Sequence, residues 1–233
     1  MNDTTIKRLI ALNRAFYETT ADEFDQTRGK PWPGWRAVLP LLTPVVRVLD
    51  AGCGNGRFGR FLADESKATI LYTGVDSSPR LLEHARRTLA DLDAELLERD
   101  ILCDPLPPGP FDLIALFGVL HHVPGAATRL DLIARLAEHL APGGVLFFSA
   151  WRFYEFERFR QRIVPWPADL TAEPGDYLLD WRRGERALRY CHYVDEAEHA
   201  ALIAASGLRE ITTFCADGEG GQSNRYSLLR QEP

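Results

Sequence analysis

Between residues 45 and 150, short apolar runs alternate with amphipathic stretches at a regular interval. VVRVLD (45–50) is a β-branched run that stops at a glycine cluster, and GRFGRFLAD (56–64) takes up helical spacing behind it. ATILYTGVD (68–76) and AELLERD (94–100) predict a second and a third strand. Between them lies the amphipathic SPRLLEHARRTLADL (78–92), with Ser77 or Ser78 as its cap. FDLIALFGVL (111–120) is apolar almost throughout, as a strand buried on both faces must be. AATRLDLIARLAEHL (126–140) returns to helical spacing and is closed by Pro142-Gly143-Gly144. VLFFSA (145–150) is then a fifth strand. Strands and helices alternating in this way predict parallel strands covered by helices on both faces.

The flanks read differently. Ile6, Leu9, Ile10, Asn13, Phe16, Tyr17 and Phe24 recur at helical spacing, so residues 5–24 predict a helix. Pro31 and Pro33 stop it, and a short helix is expected through Val38 and Leu42. GLREITTFC (207–215) and SNRYSLL (223–229), joined by DGEGG, predict an antiparallel hairpin. Residues 151–190 follow no period and read as an insertion. The expected fold class is α/β, a Rossmann-like doubly wound mixed sheet of about seven strands with a C-terminal antiparallel hairpin. One domain is expected over 1–233: an N-terminal lid (1–44), a cofactor-binding core (45–150), a substrate-side insertion (151–190), and a C-terminal helix and hairpin (191–233).

Composition narrows the class. A chain of 233 residues, 45% hydrophobic and 26% charged, can bury a core of its own. Its net charge of −6 argues against a general nucleic-acid binder. That charge is concentrated in 37–150 and 191–233, leaving 1–36 and 151–190 the least acidic parts. Cys53, Cys103, Cys191 and Cys215 are scattered without a CxxC, so neither a disulfide nor a metal site is expected. No apolar run reaches membrane-spanning length and the N-terminus lacks a signal core, which predicts a cytoplasmic protein with no membrane partner.

DAGCGNG (50–56) leaves the first strand and enters a helix. Glycines at 52, 54 and 56 let the backbone turn tightly and approach a ligand. A nicotinamide fingerprint would need glycine where Arg57 stands. Asp50 also precedes the first glycine, and this acid would repel a pyrophosphate but suit a cation. The pattern D-x-G-x-G-x-G resembles motif I of the class I S-adenosylmethionine-dependent methyltransferases. The resemblance covers residues 45–150. It implies a cofactor site built from Asp50, Gly52, Cys53, Gly54, Asn55 and Gly56, from Asp76 and Ser77 at the ribose, from Asp100 and Ile101 at the adenine, and from Phe117. FDLIALFGVLHH is similar to the family's motif IV, and LAPGGVLFFS to the element that follows it.

The flanks resemble one branch of that family, the tRNA wobble-uridine carboxymethyl methyltransferases. NRAFYETTADEFDQTRGKPWPGW, the histidine pair 121–122, SAW (149–151), VPW (164–166) and RYCHY (189–193) occur in that branch's order. The resemblance implies a roof over the cofactor cleft formed by residues 24–35. It also implies a carboxylate acceptor, which is already ionised at neutral pH and needs no base. Arg28, Arg129 and Arg189 are the candidates to hold it, and His121 or His122 would serve as base if the acceptor were a phenol or amine. The acceptor is either a tRNA or a small molecule carrying a carboxylate or phenol. Related eukaryotic enzymes work with a small activator protein, and AELLERD, an expected edge strand, could accept one. A cofactor-binding chain without catalysis is the reading from another class; three intact acids at 50, 76 and 100 speak against it.

Overall fold

The computed structural model describes residues 1–27, 29–182 and 186–231. Helix α1 (Asp3–Thr27) outruns the predicted 5–24 at both ends. A 3-10 helix, Pro33–Leu41, follows it, with proline supplying the pre-set φ of a first helical turn. The core then runs β1 (Val45–Ala51), α2 (Arg57–Glu65), β2 (Thr69–Asp76), α3 (Pro79–Thr88), β3 (Ala94–Glu98), β4 (Phe111–Leu116), α4 (Ala126–Glu138) and β5 (Leu140–Trp151). The insertion contributes α5 (Glu157–Arg160), β6 (Ile163–Val164), β7 (Asp176–Trp181) and β8 (Ala187–His192). The chain closes with α6 (Glu196–Ser206), β9 (Arg209–Ala216) and β10 (Asn224–Arg230).

Seven strands form one sheet in the order β3-β2-β1-β4-β5-β10-β9. β1 is parallel to both β2 and β4, and β10 runs antiparallel between β5 and β9. Alternate residues of each central strand enter opposite cores. Leu49, Ile114, Leu116, Phe148 and Leu229 pack with Leu132 of α4 and Leu202 of α6 on one face. Val48, Leu113, Phe147 and Leu228 pack on the other with Phe58 and Phe61 of α2, Leu82 of α3 and Trp35. This arrangement points the carboxyl ends of β1, β2, β3 and β4 toward one rim of the sheet, where ligands of such folds bind.

Three expectations need correction. The fourth strand stops at Leu116 rather than at 120, because Gly118 takes φ 71 and the chain turns into a 3-10 helix at Leu120–His122. The predicted helix stops at Glu138 with His139 as its cap, and the expected turn belongs to β5, which begins at Leu140 and carries Pro142-Gly143-Gly144 through a register shift against β4. The insertion is not irregular: β6, β7 and β8 form a second, antiparallel sheet in that order. Its polar-apolar alternation is hidden because both faces are covered. Leu178 packs with Leu9 and Tyr190, and Leu179 with Phe153 and Cys191. β3 lies at an edge of the large sheet, as expected, with Glu95 and Glu98 exposed. Among the described residues no helix is long and apolar enough to cross a membrane.

Candidate functional site

The turn after β1 is built from backbone. The Gly52 and Cys53 amides donate to Val75 O at 2.7 and 2.9 Å, and the Gly54 amide donates to Asp76 Oδ2 at 2.8 Å. Gly52 sits at φ 81, and a Cβ there would lie 2.2 Å from Val119 Cγ2. Only glycine therefore lets the turn close against the loop that follows β4. Asp76 also accepts the Ser78 amide at 2.9 Å. Burial raises its carboxyl pKa, opposed by the amides of Ser78, Gly54 and Ser77. Its oxygens keep lone pairs for two further donors, such as vicinal hydroxyls. Asp100 lies at the tip of β3, where it accepts the Leu102 amide and pairs with Arg14 at 3.2 Å.

Asp50 does not face a ligand as the sequence suggested. It is 2% exposed, lies beneath the turn, and accepts the Tyr72 hydroxyl at 2.6 Å. Burial pushes its pKa up to about 7, against the Tyr72 hydrogen bond. Cys53, Asn55 and Gly56 are likewise set behind the wall; Asn55 donates to Asp25 Oδ1 at 2.8 Å instead.

A cavity of about 480 Å³ opens over this rim. One part is formed by the strand tips: Gly52, Gly54, Asp76, Ser77, Asp100 and Ile101. The other is formed by the insertion and the roof: Trp32, Trp151, Phe159, Trp181 and Arg189, with Arg158 and Arg162 alongside. Phe117 and His121 lie on the wall as well. A tight glycine turn, a polar carboxylate at one strand tip and an apolar residue beside another suit a nucleoside with a positively charged tail. The residues present therefore fit S-adenosylmethionine.

Arg189 stands out. It is 7% exposed, and its guanidinium is flanked by the rings of Trp151 at 4.9 Å, Phe16 at 5.3 Å and Trp181 at 5.6 Å. Among the described residues no carboxylate pairs with it. Buried cations are ordinarily paired, so this one has capacity for an anion that enters the cavity.

The other predicted site residues separate. Arg129 is not at the cavity: it is 1% exposed and bonds Glu198 Oε1 at 2.6 Å, Val123 O at 2.9 Å and Glu173 Oε2 at 3.4 Å. It is a strut between α4, α6 and the insertion. His192 completes that strut between Asp176 at 2.7 Å and Glu198 at 2.6 Å. His122 donates Nδ1–H to Tyr190 O at 2.9 Å and accepts the Tyr17 hydroxyl at Nε2 at 2.8 Å, so neither nitrogen is available as a base. His121, Cys191 and His122 bring potential ligand atoms within 4.8 Å of one another. A metal would have to displace those His122 partners. Arg28 lies outside the described residues. Trp35 is core, at 1% exposure, while Trp32 lines the cavity. The sequence reading missed Trp181, Arg158, Arg162 and Phe159. Pairing DYLLDW with ALRYCH as antiparallel neighbours would have found Trp181, which lies diagonal to Arg189 on one face of the pair.

A glycine turn between β1 and α2, acids at the tips of β2 and β3 and the order β3-β2-β1-β4-β5-β10-β9 define the class I methyltransferase architecture. Comparison with known proteins agrees. Residues 49–146 match a family described as "Methyltransferase domain". The chain is 31% identical to bovine (Bos taurus) "Probable tRNA methyltransferase 9B" over 67% of its own length and 33% of that protein's. It is 30% identical to mouse (Mus musculus) "tRNA (carboxymethyluridine(34)-5-O)-methyltransferase ALKBH8", over 58% of this chain and 19% of that one. It therefore spans a third or less of these relatives. It is also 34% identical to "Trans-aconitate 2-methyltransferase" of Azoarcus sp. (strain BH72), over 73% of this chain and 81% of that one. An S-adenosylmethionine-dependent methyltransferase from Clostridium acetobutylicum ATCC 824 superimposes with a TM-score of 0.67, at 17% identity, over 93% of this chain and 99% of that one. The chain belongs to the S-adenosylmethionine-dependent methyltransferases.

Proposed function

We propose that this methyltransferase acts on a carboxylate, and that its acceptor is a carboxymethyl group on a tRNA wobble uridine. The observation that carries the carboxylate is Arg189, a buried guanidinium facing the cavity without an anionic partner among the described residues. The tRNA part rests on the order of the flanking motifs and on the names of two relatives. S-adenosylmethionine supplies an electrophilic methyl group on a sulfonium. Asp76 would hold the ribose hydroxyls, Asp100 and Ile101 would receive the adenine, and the Gly52–Gly56 turn would bound the amino-acid tail. Arg189 orients the carboxylate, whose own charge makes it the nucleophile, so that no base is required. Trp151, Trp181 and Phe159 exclude water and leave the guanidinium as the strongest interaction open to that anion. A small activator protein, if one is used, would add a strand along the free edge of β3.

A second reading keeps the same chemistry with a small carboxylate as acceptor. It is favoured by the relative named for trans-aconitate, of which this chain covers most of the length. Purified protein with methyl-labelled cofactor, offered total tRNA or a metabolite extract, separates the two. Alkali-labile label on tRNA is the expected result. Label confined to the small-molecule fraction would replace the tRNA reading with the second, and alkali-stable label on either would remove the carboxylate.

A further inference from the structure

Two side chains at the glycine turn touch the N-terminal segment: Asn55 from behind the cavity wall, and Arg57 from the cavity lining. Asn55, 5% exposed, donates Nδ2 to Asp25 Oδ1 at 2.8 Å. Arg57, the first residue of α2, donates to Lys30 O at 3.3 Å. Its guanidinium stands 4.4 Å from the Trp32 ring and 5.0 Å from that of Trp35. On another side Trp32 meets the turn after β4: a Cβ on Gly118 would be 3.3 Å from Trp32 Cη2. Trp32 is thus wedged between the start of α2 and the β4 loop while it lines the cavity. Gly34, two residues on, is pinned separately through its amide to Asp217 Oδ1 at 3.0 Å, so the segment has one fixed end and one end held by the glycine turn.

The turn itself has three positive-φ glycines in five residues, at 52, 54 and 56. Such a backbone loses much freedom when a ligand settles on it. Asn55 and Arg57 flank the last of these glycines, so whatever orders the turn orders both anchors. We propose that Asn55 and Arg57 are positioning residues that transmit occupancy of the glycine turn to the Trp32 wall, so that the acceptor part of the cavity takes its final shape only once the cofactor is bound. The enzyme then binds cofactor first and acceptor second. This holds for either acceptor under the proposed function, since it concerns the coupling between two walls and not the molecule that enters last.

Hydrogen exchange on the full chain, with and without S-adenosylhomocysteine, tests it without any acceptor. In the unsubstituted protein the ligand should slow exchange of residues 29–36 by about tenfold. With Asn55→Ala and Arg57→Ala combined, that protection should vanish while the ligand still protects the glycine turn and its Kd moves less than about threefold. The reciprocal pair Asn55→Asp with Asp25→Asn restores the donor and acceptor in exchanged positions, and should return the part of the protection lost in Asn55→Ala alone. Protection of 29–36 that survives the double substitution overturns the proposal. So does protection that declines only in step with ligand affinity, which would make the two residues plain ligand contacts. A reciprocal pair that behaves like Asn55→Ala removes Asn55 from the link. If the alanine variants do not fold, Asn55→Asp alone, which sets two carboxylates against each other, should lose protection of 29–36 that adding Asp25→Asn restores; protection unchanged in Asn55→Asp overturns the role of Asn55.

Discussion

Asn in place of Asp50 isolates one buried group whose charge state can be read through stability. Asp50 is 2% exposed and its pKa rises from an ordinary 3.8 to about 7, chiefly through burial. A carboxyl with a raised folded-state pKa binds more protons folded than unfolded between those two values, so it lowers stability as pH climbs through that window. The full slope is about 1.4 kcal/mol per pH unit and halves as the pH reaches the folded pKa, so between pH 5 and pH 7 the native protein should lose about 2.3 kcal/mol through this group alone. Asp50→Asn abolishes that slope. Asparagine can still accept the Tyr72 hydroxyl through its carbonyl, but its NH₂ meets a site shaped for an acceptor, at a cost of about 1–3 kcal/mol independent of pH. The variant is therefore expected to be less stable than the parent at pH 5 and to gain on it by about 2.3 kcal/mol at pH 7. Urea unfolding of the ligand-free protein at pH 5, 6, 7 and 8, with equal m-values, measures the difference. A gap between variant and parent that stays constant from pH 5 to 8 would show Asp50 ionised throughout and would refute the reasoning.

Three further outcomes follow from other parts of the site. Arg189→Leu should lower kcat/KM for the acceptor by roughly ten- to a hundredfold, from about 1.5–3 kcal/mol per charge-assisted hydrogen bond; S-adenosylhomocysteine affinity by calorimetry should not change, and an unchanged kcat/KM removes the anion role. Gly52→Ala, at φ 81 and 2.2 Å from Val119, should weaken S-adenosylhomocysteine by at least about tenfold, with partial recovery when Val119→Ala is added; a bystander glycine would leave affinity intact. Arg129→Met leaves Glu198 and Glu173 without their buried cation and should cost about 3–5 kcal/mol in urea unfolding, whereas a loss below about 1 kcal/mol would return Arg129 to the list of surface or acceptor-facing arginines.

Much of this architecture was legible one segment at a time. Val48 and Leu49, or Phe147 and Phe148, alternate between two apolar cores, so their strands announce themselves as apolar runs wherever helices cover both faces. Ser78 caps α3 through its own hydroxyl, a purely local event. The glycines at 52, 54 and 56 mark a turn whatever surrounds them, because their φ values exclude side chains. The β7–β8 hairpin was not legible, since Leu178 and Leu179 face different clusters contributed by segments far off in the chain.

Roles at the site divide along the same line. The chain alone determines which residues carry charge, where the backbone must bend, and that acids stand at strand ends, for these are matters of residue type and spacing. Which acid faces the cavity is a matter of depth: Asp76 reaches the wall while Asp50, at the end of the preceding strand, is closed off under Tyr72. Which arginine is available is a matter of who arrives beside it. Glu198 and Glu173 take Arg129 from two separate elements, whereas Phe16, Trp151 and Trp181 surround Arg189 with rings that cannot neutralise it. Burial and charge pairing are sums over neighbours distant in sequence, and only the folded chain brings those neighbours together.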